Sequence, residues 1–92
     1  MTTDPRPDDR LDDALAMIAA LGPAPGSCWR HRKGGVYRVV CCALREEDCR
    51  PLVVYREERP AGMPQGVLVW ARPLNEFRER FALVAPGEKP CA

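Results

Sequence analysis

The sequence predicts a small, mainly β domain: an antiparallel meander curled into a barrel, with an amphipathic helix before it and a short helical turn closing it. Apolar residues follow helical spacing up to residue 21 and alternate after residue 27. Several β-branched and aromatic runs then follow one another, separated by turn-forming residues. Because 92 residues can bury only one core, we expect a helix and linker at 1–24, the barrel at 25–83 and a tail at 84–92.

The N-terminal helix is predicted over residues 8–21, DDRLDDALAMIAAL. Asp8 or Asp9 can cap its start, and Gly22-Pro23 ends it. Its apolar face consists of Leu11, Leu15, Ile18 and Leu21, with Ala14 and Met17 alongside. Since a helix of four turns is marginally stable alone, we expect this face to be covered by the rest of the domain or by another protein.

Four strands are predicted after the linker, at residues 28–33, 36–43, 52–56 and 67–72. Gly34-Gly35 suits a tight turn between the first two. Residues 57–66 form a long connection, and PLNEFRERF at 73–81 forms the closing helix or turn, with Pro73 in its first turn. In the second strand, regular alternation assigns one face to Tyr37, Val39, Cys41 and Ala43 and the other to Val36, Arg38, Val40 and Cys42.

Composition and cysteine usage exclude several classes of protein. The net charge is only +1, and the chain has no long apolar segment and no secretory leader pattern. Five irregularly spaced cysteines suit reduced thiols, so we expect a cytoplasmic protein. A zinc site could draw only on Cys28, His31, Cys41 or Cys42, and Cys49. Paired CxxC knuckles are absent, so we expect no metal and no cofactor.

Three blocks of the sequence are distinctive together: WRHRKGGVYRV at 29–39, PLVVYR at 51–56 and VWARPLNEF at 69–77. In this order and spacing they resemble a bacterial family of domains of unknown function, DUF1653. The resemblance covers about residues 28 to 80. The positions that match the family pattern are His31, Lys33, Gly34, Tyr37, Leu52 to Arg56, Trp70, Arg72, Pro73, Leu74 and Phe77.

The resemblance implies an SH3-like barrel and no established activity. The chain departs from the family pattern at Arg45-Glu46, where relatives tend to carry a histidine and a hydroxyl residue, and only Glu47 keeps its expected place. Arg32 replaces the second aromatic residue of the first block, and the hairpin at 57–66 is longer than the family's compact loop. Any chemistry that relatives perform with that turn is therefore not implied here.

The leading functional hypothesis is a non-catalytic module that binds a protein segment or a small anionic ligand. Arg72 follows Trp70 by two residues and shares its strand face. An arginine there either forms an internal ion pair with Glu47 or Glu76, or lines an anion pocket with Trp70 as one wall. The predicted ligand-binding residues are His31, Lys33, Tyr37, Glu47, Tyr55, Arg56, Trp70 and Arg72.

Two alternatives from other classes stay open. No acidic residue lies between Cys28 and Arg45, and cationic side chains interleaved with aromatic ones can bind nucleic acid. That surface would use Trp29, Arg30, Arg32, Lys33 and Arg38, beside Tyr37. The second alternative is a small enzyme with His31 as general base and Glu47 as its partner. We expect binding and not catalysis, with no membrane partner and no basis for assigning an oligomeric state.

Overall fold

The computed structural model describes residues 7–59 and 68–84. This part of the chain forms two helices and five strands, with four of the strands following one another between the helices. The predicted connection at 57–66 and the predicted tail at 84–92 lie largely outside the described residues. The elements are α1 (Pro7–Leu21), β1 (Cys28–His31), β2 (Val36–Leu44), β3 (Pro51–Glu57), β4 (Val69–Pro73), α2 (Leu74–Arg80) and β5 (Phe81–Leu83).

All five strands belong to one antiparallel sheet with the order β4-β3-β2-β1-β5. The mainly β fold, the N-terminal helix and the short helix after β4 are therefore confirmed. The prediction missed β5, a strand of three residues that pairs with β1 through Leu83 opposite Trp29 and Phe81 opposite His31. The helical spacing of Phe81 predicts that it belongs to the closing helix, but that helix ends one residue earlier, at Arg80.

The predicted closure of the sheet into a barrel is not observed. β4 and β5 are the two edges of the sheet, and among the described residues neither pairs with the other. The short helix α2 connects these edges and contacts β3, β4 and β5. Because α2 inserts Leu74 and Phe77 into the core, the helix occupies the place where the edges would have to meet. The sheet therefore stays open, and we call the face that α2 covers its concave face and the opposite face its convex face.

The core lies on the concave face of the sheet and is rich in aromatic rings. Phe77 is fully buried, and its ring stacks on Phe81 with centroids 4.3 Å apart. Trp29 meets Phe77 edge to face at 5.2 Å. Burial of each such side chain contributes about 1.5–3 kcal/mol, so the core depends on α2 as much as on the strands. The core cluster comprises Val39, Val53, Tyr55, Leu74, Phe77 and Phe81.

A β-bulge at Val40 interrupts the regular alternation of β2. Val39 pairs with Tyr55, whereas Cys41 pairs with Val54, so Val40 has no partner across the ladder. The inward-facing positions therefore shift by one residue along the strand. Cys42, opposite the buried Val53, packs against the core, and the assignment of Cys41 to the same face as Tyr37 and Val39 is wrong.

Helix α1 packs on its own domain through only part of its predicted apolar side, along Ala14 and Ile18. Ala14 is only 4% exposed, whereas Leu15 is 51% exposed. Of the predicted apolar face, only Ile18 is partly buried, since Leu11 and Leu21 are exposed as well. The small Ala14 side chain lets the helix approach β3. No helix in the described part of the chain is long and apolar enough to cross a membrane.

The turn between β2 and β3 is held by Arg45 and Asp48. The Arg45 guanidinium donates two hydrogen bonds to the Asp48 carboxylate, and the backbone N–H of Arg50 donates a third. These hydrogen bonds, chiefly those from Arg45, lower the pKa of Asp48 to about 2. Cys49 occupies the left-handed region at φ 59°. The turn thus has a defined conformation, with Glu47 at its exposed tip.

Candidate functional site

One cavity of about 400 Å³ lies on the concave face of the sheet, at the end where β1 and β2 meet in a tight turn. Its volume falls within the range of small-molecule sites. Polar and charged groups line it together with aromatic rings, in contrast to the aliphatic surface beside α1. The lining residues are His31, Lys33, Gly34, Tyr37, Tyr55, Glu57, Trp70, Arg72 and Phe81.

Strand pairing brings these side chains to one place. Tyr55 on β3 lies opposite Val39 on β2 and opposite Trp70 on β4, and Tyr55 and Val39 both face the core. Because side chains alternate along a strand, Arg72 faces the same side as Trp70. The prediction that Arg72 and Trp70 share a strand face is confirmed.

The tight turn after β1 completes the cavity wall. The backbone N–H of Gly34 donates to the carbonyl oxygen of His31 over 2.8 Å. Gly34 has a φ of +104°, and Gly35 has a φ of +87°. Glycine adopts these positive φ values without steric cost, because it has no Cβ atom, whereas other residues are strained there. A Cβ atom on Gly35 would also come within 3.3 Å of the Tyr37 ring.

The Phe81 ring forms the floor of the cavity and holds its neighbours in place. His31, Tyr37 and Tyr55 each meet it edge to face, with centroid distances of 4.8, 5.5 and 5.2 Å. Tyr37 also meets Tyr55 edge to face at 5.5 Å. Aromatic pairs favour this arrangement, so the walls of the cavity form a packed cluster.

Arg72 is positioned by an aromatic residue and by a hydroxyl group. Its Nε–H donates to the Tyr55 hydroxyl over 3.3 Å, and its guanidinium carbon lies 6.0 Å from the Phe81 ring centroid. The alternative of an internal ion pair with Glu47 or Glu76 is wrong, because Glu47 lies 3.7 Å from Arg45 and Glu76 lies 3.8 Å from Arg50. In the described part of the chain, no carboxylate lies within 4 Å of the Arg72 guanidinium.

The imidazole of His31 has a defined tautomer and a perturbed pKa. Its Nδ1 accepts a hydrogen bond from the backbone N–H of Lys33 over 3.1 Å. In the neutral ring the proton is therefore carried by Nε2, which makes Nε2 a donor. Partial burial lowers the pKa of His31 below 6.5, and the positive charges of Arg72, Lys33, Arg32 and Arg80 lower it further.

Glu57 is the acidic residue at the rim of the cavity. It is exposed, and its carboxylate lies 3.9 Å from the guanidinium of Arg59. Arg72 and Lys33 line the same cavity as cations. The cavity is therefore electrostatically positive, since the charge of its carboxylate is shared with an arginine outside the cavity.

The structure brings six of the eight predicted ligand-binding residues into this cavity: His31, Lys33, Tyr37, Tyr55, Trp70 and Arg72. Glu47 lies at the turn between β2 and β3 and does not line it. Arg56 lies opposite Arg38 and Val69, on the convex face of the sheet. The pairing of His31 with Glu47 that an enzymatic mechanism would need is therefore not formed.

Three lining residues were absent from the predicted set. Gly34 belongs to the turn that the sequence did predict. The sequence pattern predicts that Glu57 begins the connection after the third strand, but in the structure β3 continues through it, as the alternation of PLVVYRE does. The apolar run FALV, directly after the helix, was the available signal that Phe81 begins a strand.

The predicted nucleic-acid surface is divided between the two faces of the sheet. Trp29 packs on Phe77 and donates its Nε1–H to Ser27. Arg30 and Arg38 lie on the convex face, and Arg38 forms a two-point hydrogen-bonded ion pair with Glu58. Arg32 and Lys33 lie in the exposed turn after β1. These residues do not form one continuous basic surface with stacking rings.

The cysteines of the described residues do not come together into a metal site or a disulfide. Cys28, Cys41, Cys42 and Cys49 are all free thiols, and Cys91 lies outside the described residues. Within residues 7–59 and 68–84, no group of three or more His, Cys, Asp or Glu side chains is placed to hold a metal ion. Burial raises the pKa of the Cys42 thiol, and the electrostatic effect of the neighbouring Cys41 raises it further.

Comparison with known proteins assigns the chain to a family. Neither the curated proteins nor the solved structures contain a significant match to this chain. The family model described as "Protein of unknown function (DUF1653)" matches residues 27–86. That span includes all five strands, α2 and every residue that lines the cavity. The chain therefore belongs to the DUF1653 family.

Proposed function

We propose that the protein is a non-catalytic binding module whose concave cavity takes a small anionic ligand. The observation that carries this proposal is the Arg72 guanidinium, which is fixed by Tyr55 and Phe81 and has no carboxylate within 4 Å in the described part of the chain. An arginine held in a partly enclosed, aromatic-lined site is suited to bidentate recognition of a carboxylate or phosphate.

The remaining residues of the cavity support the same function. Lys33 adds a second positive charge, and the neutral His31 adds an Nε2–H donor. The rings of Tyr37, Tyr55 and Trp70 supply apolar surface for the rest of the ligand.

The test is a titration followed by two-dimensional amide NMR, with inorganic phosphate and benzoate as separate probes. We expect the shifted amides to be those of the turn after β1 and of β4. The variant Arg72→Gln should abolish the shifts. Arg56→Gln is the matched control, because Arg56 lies one strand away on the convex face and should leave them unchanged.

Two results would contradict the proposal. One is the absence of any saturable shift with either anion. The other is loss of binding in Arg56→Gln but not in Arg72→Gln, which would place the anion on the convex face. Shifts centred on Arg30 and Arg38 with single-stranded RNA, and none in the cavity, would favour the nucleic-acid alternative instead.

A further inference from the structure

Trp70 offers an aromatic surface that the core does not use. Its side chain is 50% exposed although it lines the cavity, and it makes no ring contact with another aromatic residue in the described part of the chain. The other rings of the cavity are held edge to face against Phe81. A half-exposed indole beside a cavity can stack on a planar group of a ligand.

Arg72 presents its terminal nitrogens to the same cavity. Its Nε–H is engaged by Tyr55, and the two Nη groups have no hydrogen-bond acceptor among the described residues. A guanidinium with this arrangement can donate from both Nη groups to one anion. Arg72 lies two residues after Trp70 on the same strand face, so their side chains start about 6–7 Å apart.

The cationic donors of the cavity suit an anion that carries more than one negative charge. Arg72 supplies its Nη groups, Lys33 its ammonium group and His31 its Nε2–H. Arg32 and Arg80 are also near enough to act electrostatically on His31. A carboxylate has two oxygen atoms and one negative charge. A phosphate monoester has three terminal oxygens and a charge of about −1.5 to −2 at neutral pH, which matches this donor set better.

We infer that the ligand is a small phosphate monoester that carries a planar ring, with the phosphate at Arg72, Lys33 and His31 and the ring on Trp70. This inference rests on the proposed function and names the ligand class. The spacing between Trp70 and Arg72 favours a spacer between the ring and the phosphate. Nucleoside monophosphates have such a spacer in their sugar, whereas in aryl phosphates one oxygen joins the two groups.

The experiment is calorimetric titration at neutral pH with adenosine monophosphate, phenyl phosphate, adenosine, inorganic phosphate and benzoate. We expect adenosine monophosphate to bind at least about tenfold more tightly than adenosine or inorganic phosphate, because stacking and charge pairing act together. Phenyl phosphate should bind with intermediate affinity. Benzoate should bind most weakly of the anions.

Two pairs of variants assign the contacts. Arg72→Gln should weaken binding of both adenosine monophosphate and inorganic phosphate by about tenfold or more. Trp70→Leu should weaken adenosine monophosphate by about fivefold and leave inorganic phosphate unchanged. The controls are Arg56→Gln and Val69→Ala, since Val69 precedes Trp70 on β4, is exposed and faces the other side of the sheet.

The outcomes separate the two proposals. Benzoate binding that depends on Arg72, with no preference for phosphates, would overturn the inferred ligand class and retain the anion-binding function. No binding of any anion would overturn both. If Trp70→Leu leaves the affinity for adenosine monophosphate unchanged, the ring of the ligand does not stack on Trp70, and that part of the inference is overturned. A 5′-phosphorylated oligonucleotide that binds more tightly than adenosine monophosphate would show that the partner is nucleic acid and overturn the small ligand.

Discussion

The Nε–H of Arg72 donates a hydrogen bond to the hydroxyl group of Tyr55 across the paired strands β3 and β4. Tyr55 is nearly fully buried, so its hydroxyl is held by the packing of its ring against Phe77 and Phe81. The orientation of the guanidinium at the cavity therefore depends on the hydrophobic core. Tyr55 is a positioning residue for the proposed anion site.

Tyr55→Phe tests this dependence. The ring is retained, so we expect the fold to persist, with a loss of about 1 kcal/mol in the free energy of unfolding from the missing hydrogen bond. Binding of inorganic phosphate should weaken several-fold, because Arg72 loses its fixed orientation. Urea unfolding and NMR titration measure the two effects.

Tyr37→Phe is the control for this change. Tyr37 lines the same cavity, but its hydroxyl makes no hydrogen bond with Arg72. We expect phosphate affinity close to that of the unchanged protein. Equal losses of affinity in Tyr37→Phe and Tyr55→Phe would refute the positioning role of Tyr55.

Phe77→Ala tests the contribution of α2 to the core. Phe77 is fully buried and contacts Trp29, Tyr55 and Phe81. Its truncation should cost about 3–5 kcal/mol of stability, enough to unfold much of a small domain at room temperature. Urea unfolding followed by circular dichroism measures the loss.

Leu83→Ala serves as the control for Phe77→Ala. Leu83 lies on the edge strand β5 and is 58% exposed, so its truncation should change stability by only about 0.5 kcal/mol or less. If Phe77→Ala were as stable as Leu83→Ala, α2 would not be part of the core.

The lowered pKa of His31 predicts a pH dependence of stability. The unfolded chain takes up a proton near the ordinary pKa of 6.5, whereas the folded protein does so only at lower pH. Below pH 6.5 the unfolded state therefore binds more protons, which lowers the free energy of unfolding. The contribution of His31 is complete above pH 6.5 and is lost as the pH falls through its lowered folded pKa.

Urea unfolding between about pH 8 and about pH 5 measures this dependence, and His31→Gln isolates it. The variant should lose less stability than the unchanged protein as the pH falls from 7 to 5. Saturating phosphate should reduce the difference, because a bound anion favours the protonated imidazole. If the free energy of unfolding fell equally with pH in both proteins, the pH dependence of stability would not come from His31.

The bulge predicts different reactivities for two adjacent cysteines. Cys42 packs on the core and its pKa is raised by burial, whereas Cys41 faces the other side of the sheet. Since the thiolate is the reactive form, Cys42 should react more slowly with a thiol-specific disulfide reagent. Two single-cysteine proteins, each with alanine at the other four positions, allow the rates to be compared. A faster reaction of Cys42 than of Cys41 would contradict the finding that Cys42 is the cysteine that faces the core.

Much of the fold could be predicted because the patterns were local. Helical spacing located α1 within one residue of its observed start, and alternation located β2 and β3. Six of the eight predicted site residues meet in the cavity because Tyr55, Trp70 and Arg72 lie at adjacent or alternate positions on paired strands. Such positions share a face whatever the exact curvature of the sheet.

The rest could not be predicted because it depends on contacts between distant segments. Val40 carries no glycine or other local signal for a bulge, so regular alternation was the reasonable expectation. The open sheet follows from how far α2 enters the core, and the face of α1 that packs is set by how closely Ala14 can approach β3. Arg56 and Glu47 match positions of the family pattern, but a pattern of matching positions does not show that Arg56 faces away from Tyr55 or that Glu47 lies at the tip of a distant turn.

The unpaired residue in β2 has a consequence for how relatives of this chain can diverge. Removal of Val40 would make Val39 and Cys41 consecutive on a regular ladder, and Tyr37 and Cys42 would keep the faces that they have now. Loss or gain of a residue elsewhere in β2 would turn half of the strand over. We therefore expect family members to vary in length at this position without any change to the core or the cavity, which makes it the natural place for a gap when their sequences are aligned.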